Sequence, residues 1–117
     1  MKERFFRIFA AFLALSLAGC AGNRVKRLKK TGAELIFTTT TPVPDGTGIR
    51  VKGDAEEYNA AAERVMKKHG VTVNDLYSFA MPRLAEIQRA NNVHFNEIGS
   101  RLLAEQVAGA ILEKLER

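Results

Sequence analysis

The chain has 117 residues, of which 46% are hydrophobic and 26% charged, with a formal net charge of +5 at pH 7. This length gives one small domain at most, and the balance is that of a globular rather than a disordered chain. Cys20 is the single cysteine, which excludes an internal disulfide. No clustered Cys/His spacing predicts a zinc site, and we expect no metal and no other cofactor.

The positive charge is too mild to predict a nucleic-acid partner. The first seven residues contribute three basic side chains and one acidic one, so that 15 basic and 12 acidic residues remain, a net charge of +3. Nucleic-acid-binding domains usually combine a concentrated basic surface with a recognition motif. The sequence contains no such motif, and we expect no nucleic acid as a partner.

Residues 1–20 have the organisation of an export signal. Basic residues precede an apolar run over residues 8–18, which only Ser16 interrupts. The run is shorter than the roughly 20 residues of a membrane-spanning helix, but it suits the hydrophobic region of a signal peptide. It ends in Leu17-Ala18-Gly19-Cys20, which resembles the lipobox of bacterial lipoproteins. The alternative is an ordinary secretory signal with an incidental cysteine.

The lipobox resemblance implies that the leader is cut before Cys20 and that the cysteine thiol is acylated. The protein would then be held by membrane lipid in the bacterial cell envelope, where two or three acyl chains give stable attachment. Ala21 stands where an Asp would favour the inner membrane, so we expect the outer membrane or the periplasmic side of a membrane. The chain thus divides into a signal peptide (1–19), a lipid-anchored basic segment (20–32) and a domain (33–117).

The basic segment has two compatible interpretations. One is a juxtamembrane patch attracted to anionic lipid. The other, which we favour, is the last turns of an amphipathic helix, with Val25 and Leu28 on one face and Gly32 as the C-cap. The cations of the segment are Arg24, Lys26, Arg27, Lys29 and Lys30.

The stretch over residues 33–44, AELIFTTTTPVP, predicts the central strand of the domain. Its first half is apolar and β-branched, as in strands buried on both faces of a parallel sheet. The strand should end near Pro42, because proline cannot donate to the ladder. Ligands in open α/β sheets lie at the carboxyl ends of strands, so we expect a site in the loop that follows.

A helix and a second strand follow. The helix is predicted from Asp54, with Glu57 as its capping-box partner, to Gly70, and the strand over residues 71–74. This order predicts a βαβ unit with parallel strands. The predicted core-facing stripe of the helix comprises Tyr58, Ala61, Ala62, Val65 and Met66.

The last third of the chain is predicted to be helical. We expect Asp75 to cap a short turn, Pro82 to begin a helix that ends near residue 89, and Asn96 to cap a final helix that runs almost to residue 117. Only two strands are predicted in all. A two-stranded parallel sheet is marginally stable, and its open edge is an aggregation hazard.

A series of short phrases points to a known family. They are residues 36–44 (IFTTTTPVP), 58–59 (YN), 73–77 (VNDLY), 93–95 (VHF) and 102–107 (LLAEQV). In this order they resemble the C-terminal half of an SGNH hydrolase, a GDSL-type esterase. The resemblance implies an α/β fold, an incomplete flavodoxin-like three-layer α/β/α arrangement with few parallel strands. It also places His94 at the position of the catalytic histidine and Asn91 at that of the family's aspartate.

The sequence lacks the motifs in which the family carries its catalytic serine and its oxyanion-hole residues. Ser16 lies in the leader, and Ser78 and Ser100 lie in predicted helical contexts. His94 could act as a general base, but on the residues alone a hydrogen-bonded loop histidine is the favoured interpretation. We expect a lipid-anchored relative of ester hydrolases that is inactive alone. The alternatives are a non-catalytic envelope lipoprotein that a partner or second copy completes, and a remnant without an independent fold.

Overall fold

The computed structural model describes residues 20–48 and 51–116. The predicted signal peptide, with Ser16, lies outside the described residues. The described residues form a mixed α/β structure with a small parallel sheet. The elements in chain order are α1 (helical over residues 20–29), β1 (Ile36–Thr38), α2 (Asp54–Lys68), β2 (Thr72–Asn74), α3 (Leu76–Ala80), a 3₁₀ turn (Met81–Arg83), α4 (Leu84–Ile87) and α5 (Glu97–Leu115).

The sheet confirms the predicted βαβ unit. β1 pairs with β2 in parallel, with Phe37 opposite Val73, and α2 connects the two strands. β1 ends at Thr38, well before Pro42. The chain leaves the ladder because the Asn59 side chain of α2 bonds both backbone groups of Thr40, at 2.8 Å each.

One face of the sheet holds the small hydrophobic core. Val25 of α1 packs there with Val65 and Met66 of α2, all three buried. The partly buried side chains around this cluster are Ala21, Leu35, Phe37, Val71 and Val73. Leu35 and Phe37, two residues apart, share the face because side chains of a strand alternate between its faces.

α5 lies on the opposite face. Asn74, one residue after Val73, points to that side and accepts a hydrogen bond from Gln106 of α5 at 3.2 Å. An ion pair of 3.1 Å between Lys114 and Glu34 fixes the end of α5 to the segment before β1. The sheet is therefore covered by α1 and α2 on one side and by α5 on the other.

Two predictions for α2 were wrong. The capping box of Asp54 and Glu57 is not formed; Gly53 occupies the N-cap in a left-handed conformation, without a side-chain cap. Tyr58 is 66% exposed, because the buried face of α2 is centred on Ala55, Asn59 and the core residues. Because the Asn59 side chain points inward, the buried face of α2 is rotated relative to the predicted one. The pattern of apolar residues alone did not show this rotation.

The other caps follow the sequence. Asp75 accepts from the Ser78 amide at 3.1 Å and Asn96 from the Gly99 amide at 2.8 Å, as predicted. In α1, Val25 is buried as expected, whereas Leu28 is 53% exposed. Leu28 lies outside the narrow contact that α1 makes with the core, so only half of its predicted apolar face is used.

Candidate functional site

The carboxyl ends of the two strands are joined by a network around Thr39 and Asp75. The buried Thr39 hydroxyl donates to the Asp75 carboxylate at 2.9 Å and accepts from the Tyr77 amide at 2.9 Å. The Thr39 amide donates to the Asn74 carbonyl at 3.1 Å. This edge of the sheet is where the sequence predicted a site, and its polar groups hold the start of α3 in place.

Asp75 is the charged centre of this network. Partial burial opposes its ionisation, but hydrogen bonds from the Ser78 side chain and amide, from Thr39 and from the Tyr77 backbone outweigh that effect and lower the pKa of the Asp75 carboxyl. The carboxylate is therefore ionised at neutral pH and serves as a helix cap and hydrogen-bond acceptor. It is not set up as a proton donor.

Tyr77 connects α3 to the first turn of α2. Its hydroxyl donates to the Glu56 carboxylate. This bond, with desolvation and the negative charge of Glu56, raises the pKa of Tyr77 to about 12. The phenol is therefore neutral at physiological pH and acts as a hydrogen-bond donor.

The loop after β1 packs against the loop that carries His94. The Gln88 amide nitrogen donates to the carbonyls of Pro42 at 3.2 Å and Val93 at 3.3 Å. An isolated antiparallel bridge between Gln88 and Phe95 closes the second loop at its base. The structure thus brings His94 to the carboxyl side of the sheet, beside the segment that follows β1.

His94 is exposed, and its ring is held by Asn92. The Asn92 side-chain oxygen lies 2.6 Å from Nδ1 and also accepts from the His94 amide at 2.9 Å. Because that oxygen can only accept, Nδ1 of the neutral ring carries the proton and Nε2 presents its lone pair. The imidazole is thus in the tautomer that a base acting through Nε2 requires.

Asn91, expected at the family's aspartate position, has a different environment. It adopts a left-handed conformation with φ 51°, and its side-chain oxygen lies 2.9 Å from where a β-carbon on Gly46 would stand. Asn91 is thereby directed to the turn after β1, and the neighbouring Asn92 orients the ring. Asn92 was not predicted; its position two residues before His94 is the only signal, because asparagine often bonds the backbone two residues on.

The hydroxyl groups of the two serines among the described residues donate hydrogen bonds to acceptors other than His94. Ser78 Oγ donates to Asp75 Oδ2 at 2.6 Å, and Ser100 Oγ donates to the Asn96 carbonyl within α5 at 2.9 Å. Within residues 20–48 and 51–116, no hydrogen bond joins a serine to His94. The structure does not bring a serine and the histidine together as a nucleophile and its base.

A groove of about 450 Å³ lies between β2 and α5 and does not include His94. Its wall contains Asn74, whose Nδ2 is buried without a hydrogen-bond partner among the described residues. Gln106 and Glu105 line its other side. The described residues contain no group of three or more His, Cys, Asp and Glu side chains placed to hold a metal ion.

Cys20, the predicted lipidation site, is exposed at the first described position of α1, with a free thiol. No helix in the described ranges is long and apolar enough to cross a membrane. Comparisons of the chain with models of protein families, with curated proteins and with solved structures find no match.

Proposed function

We propose that this chain is a lipid-anchored protein of the bacterial envelope that resembles the C-terminal half of an SGNH-type ester hydrolase and does not hydrolyse esters alone. The observation that carries the second part is the hydrogen bonding of the serines. Ser78 and Ser100 each donate to a structural acceptor, while the His94 ring is held by Asn92. A base without a nucleophile cannot begin acyl transfer by the family's route.

The partner of His94 also limits its chemistry. A carboxylate orients a catalytic imidazole and stabilises the imidazolium that forms during the reaction, whereas the neutral amide of Asn92 does only the first. Even with a serine supplied in place, His94 would be a weak base for ester hydrolysis.

The lipid anchor proposed at Cys20 is supported by the exposure of this residue at the start of the described chain. The lipobox-like residues before Cys20 lie outside the described residues, but Cys20 itself is exposed. Its thiol is therefore accessible for acylation. A chain held by acyl groups needs no membrane-spanning helix.

The test is the hydrolysis of p-nitrophenyl acetate by the full chain, produced in a bacterial host and extracted from the membrane fraction in detergent. We expect the wild type to show only the weak background of exposed imidazoles. His94→Ala should lower that background only in part, and the control His69→Ala, whose ring is partly buried beside α1, should lower it no more than His94→Ala does. A turnover that His94→Ala and the double variant Ser78→Ala/Ser100→Ala both abolish, and His69→Ala leaves intact, would contradict the proposal.

A second candidate function, an interaction module, is favoured by the outer edge of β1. Phe37 and Thr39 direct their backbone groups to β2, so Thr38 between them directs its amide and carbonyl away from β2. No described strand pairs with that edge. A strand from a second copy or another envelope protein would extend the sheet there. If this is right, Tm rises with protein concentration or on addition of the partner.

A further inference from the structure

The anchor position and part of the positive charge lie on the same face of α1. Cys20, Arg24 and Arg27 follow one another at spacings of four and three residues and are all exposed. Val25, on the opposite side, is 5% exposed and packs into the core. Acyl chains on Cys20 would therefore leave the helix on the side that faces away from the protein.

A second group of cations is brought to the same region by the packing of α1 on α2. Lys29 Nζ donates to the His69 carbonyl at the end of α2. A β-carbon on Gly22 would lie 3.2 Å from His69 Nε2, so α1 runs directly past this end of α2. Lys67 and Lys68 immediately precede His69 at this end of α2 and are exposed.

The resulting surface, which we call the basic face, has no acidic residue from its α1 part. Residues 20–32 contain five cations and no Asp or Glu. The ion pairs found in the described residues, Lys52 with Asp45 and Lys114 with Glu34, use none of its cations. Leu28, half-exposed, lies among them. The basic face comprises Arg24, Lys26, Arg27, Lys29, Lys30, Lys67 and Lys68.

We propose that the basic face lies against the anionic phospholipid of the membrane that holds Cys20, an inference that rests on the proposed anchor. Acyl chains hold the start of α1 at the lipid surface, so Arg24 and Arg27, which share the outward face of α1 with Cys20, come within the short range of the surface potential. Lipid attachment combined with a basic surface is a common means of stable membrane association. The fold would then be oriented with α1 and α2 against the lipid and with α5 facing away.

The experiment measures lysine accessibility on the membrane. The full chain is extracted from the host membrane and reconstituted into vesicles of phosphatidylcholine alone or with added phosphatidylglycerol. An amine-reactive reagent labels exposed lysines, which mass spectrometry quantifies. We expect labelling of Lys67 and Lys68 to fall several-fold on the anionic vesicles and to recover in high salt. Lys52, an exposed lysine outside the basic face, is the internal control and should not change.

A charge-reversal pair tests the role of α1. Arg24→Glu/Arg27→Glu should restore the labelling of Lys67 and Lys68 on anionic vesicles, although neither lysine is altered. Arg89→Glu/Arg101→Glu, which reverses two exposed cations outside the basic face, should leave their protection intact.

Two results would overturn the proposal while leaving the anchor in place. If Lys67 and Lys68 are labelled strongly on both kinds of vesicle, and an acylated Cys20 peptide is present in the same spectra, the basic face does not contact anionic lipid. Equal protection on both would show that a protein surface covers the lysines instead. A spectrum that retains residues 1–19 and lacks an acylated peptide would reject the anchor, and the orientation with it.

Discussion

Asp75 connects several parts of the carboxyl edge of the sheet through one side chain. It caps α3 through Ser78 and accepts from the buried Thr39 hydroxyl that follows β1. These bonds all favour the ionised carboxylate, and they outweigh the opposing effect of partial burial. The residue thus links β1, β2 and α3 more strongly when it is charged.

This dependence on charge predicts how stability changes with pH. Because folding lowers the pKa of Asp75, the carboxylate stabilises the fold above its ordinary pKa of about 4. That contribution is lost as the pH falls through the lower pKa of the folded state. The stability difference between wild type and Asp75→Asn should therefore hold down to about pH 5 and shrink as the pH falls towards about pH 3.

Urea denaturation of the full chain across this range measures the difference. Asp54→Asn is the matched control, because Asp54 stands at the start of α2 and makes no cap hydrogen bond. The difference between wild type and Asp54→Asn should change less with pH. A gap between wild type and Asp75→Asn that stays constant over the whole range would contradict the assignment.

The sequence predicted several residues of this region and missed others for a physical reason. Asp75, Asn96 and the loop position of His94 follow local rules of capping and turn chemistry, which a sequence displays directly. Nothing in the sequence favoured Asn92 over Asn91 as the partner of His94, or Thr39 over Thr40 as the partner of Asp75. Their roles depend on which side of the chain faces a partner that lies elsewhere in the fold.

α4 and α5 meet at Gly99, one turn into α5. A β-carbon there would lie 2.3 Å from the Ile87 carbonyl oxygen and 2.8 Å from the Ile87 side chain. Ile87 is 1% exposed, so neither group has room to move aside. The absence of a side chain at position 99 therefore permits the close contact of the two helices.

Gly99→Ala and Gly109→Ala form a matched pair of substitutions in one helix. Gly99→Ala should lower the free energy of unfolding by about 1–3 kcal/mol, the usual cost of overpacking. A β-carbon on Gly109 would meet no neighbouring atom within 4 Å, so Gly109→Ala should raise the free energy of unfolding by about 0.5–1 kcal/mol through helix propensity. Urea midpoints of the two full-length variants measure both effects. A gain of stability in both variants would refute the close contact.

The positions of helices and strands along the chain were more predictable than which side of each helix is buried. The parallel βαβ unit and the bounds of α5 followed from apolar runs, caps and breakers, which are local signals. The inward face of α2 did not, because Asn59 is buried to bond the backbone of Thr40. The short β1 has the same origin, since that bond takes the chain out of the ladder.

At the scale of the whole molecule, the described residues leave both outer edges of the two-stranded sheet unpaired and an apolar side of α5 uncovered. The outer edge of β1 has no neighbouring strand. The exposed side of α5 carries Ile111, Leu112 and Leu115, which are 45%, 57% and 71% exposed. An open edge and an apolar stripe on one small unit favour association with another chain.

We expect that a single copy of the chain leaves surfaces that another chain must cover. The association state of the protein tests this expectation directly. Sedimentation of the full chain in detergent should show an assembly larger than one copy. Thr38→Pro should dissociate it, because proline removes the outward amide of β1, whereas Thr38→Ser keeps that amide and should remain associated. A wild-type monomer that unfolds cooperatively, with a Tm independent of protein concentration, would contradict the account.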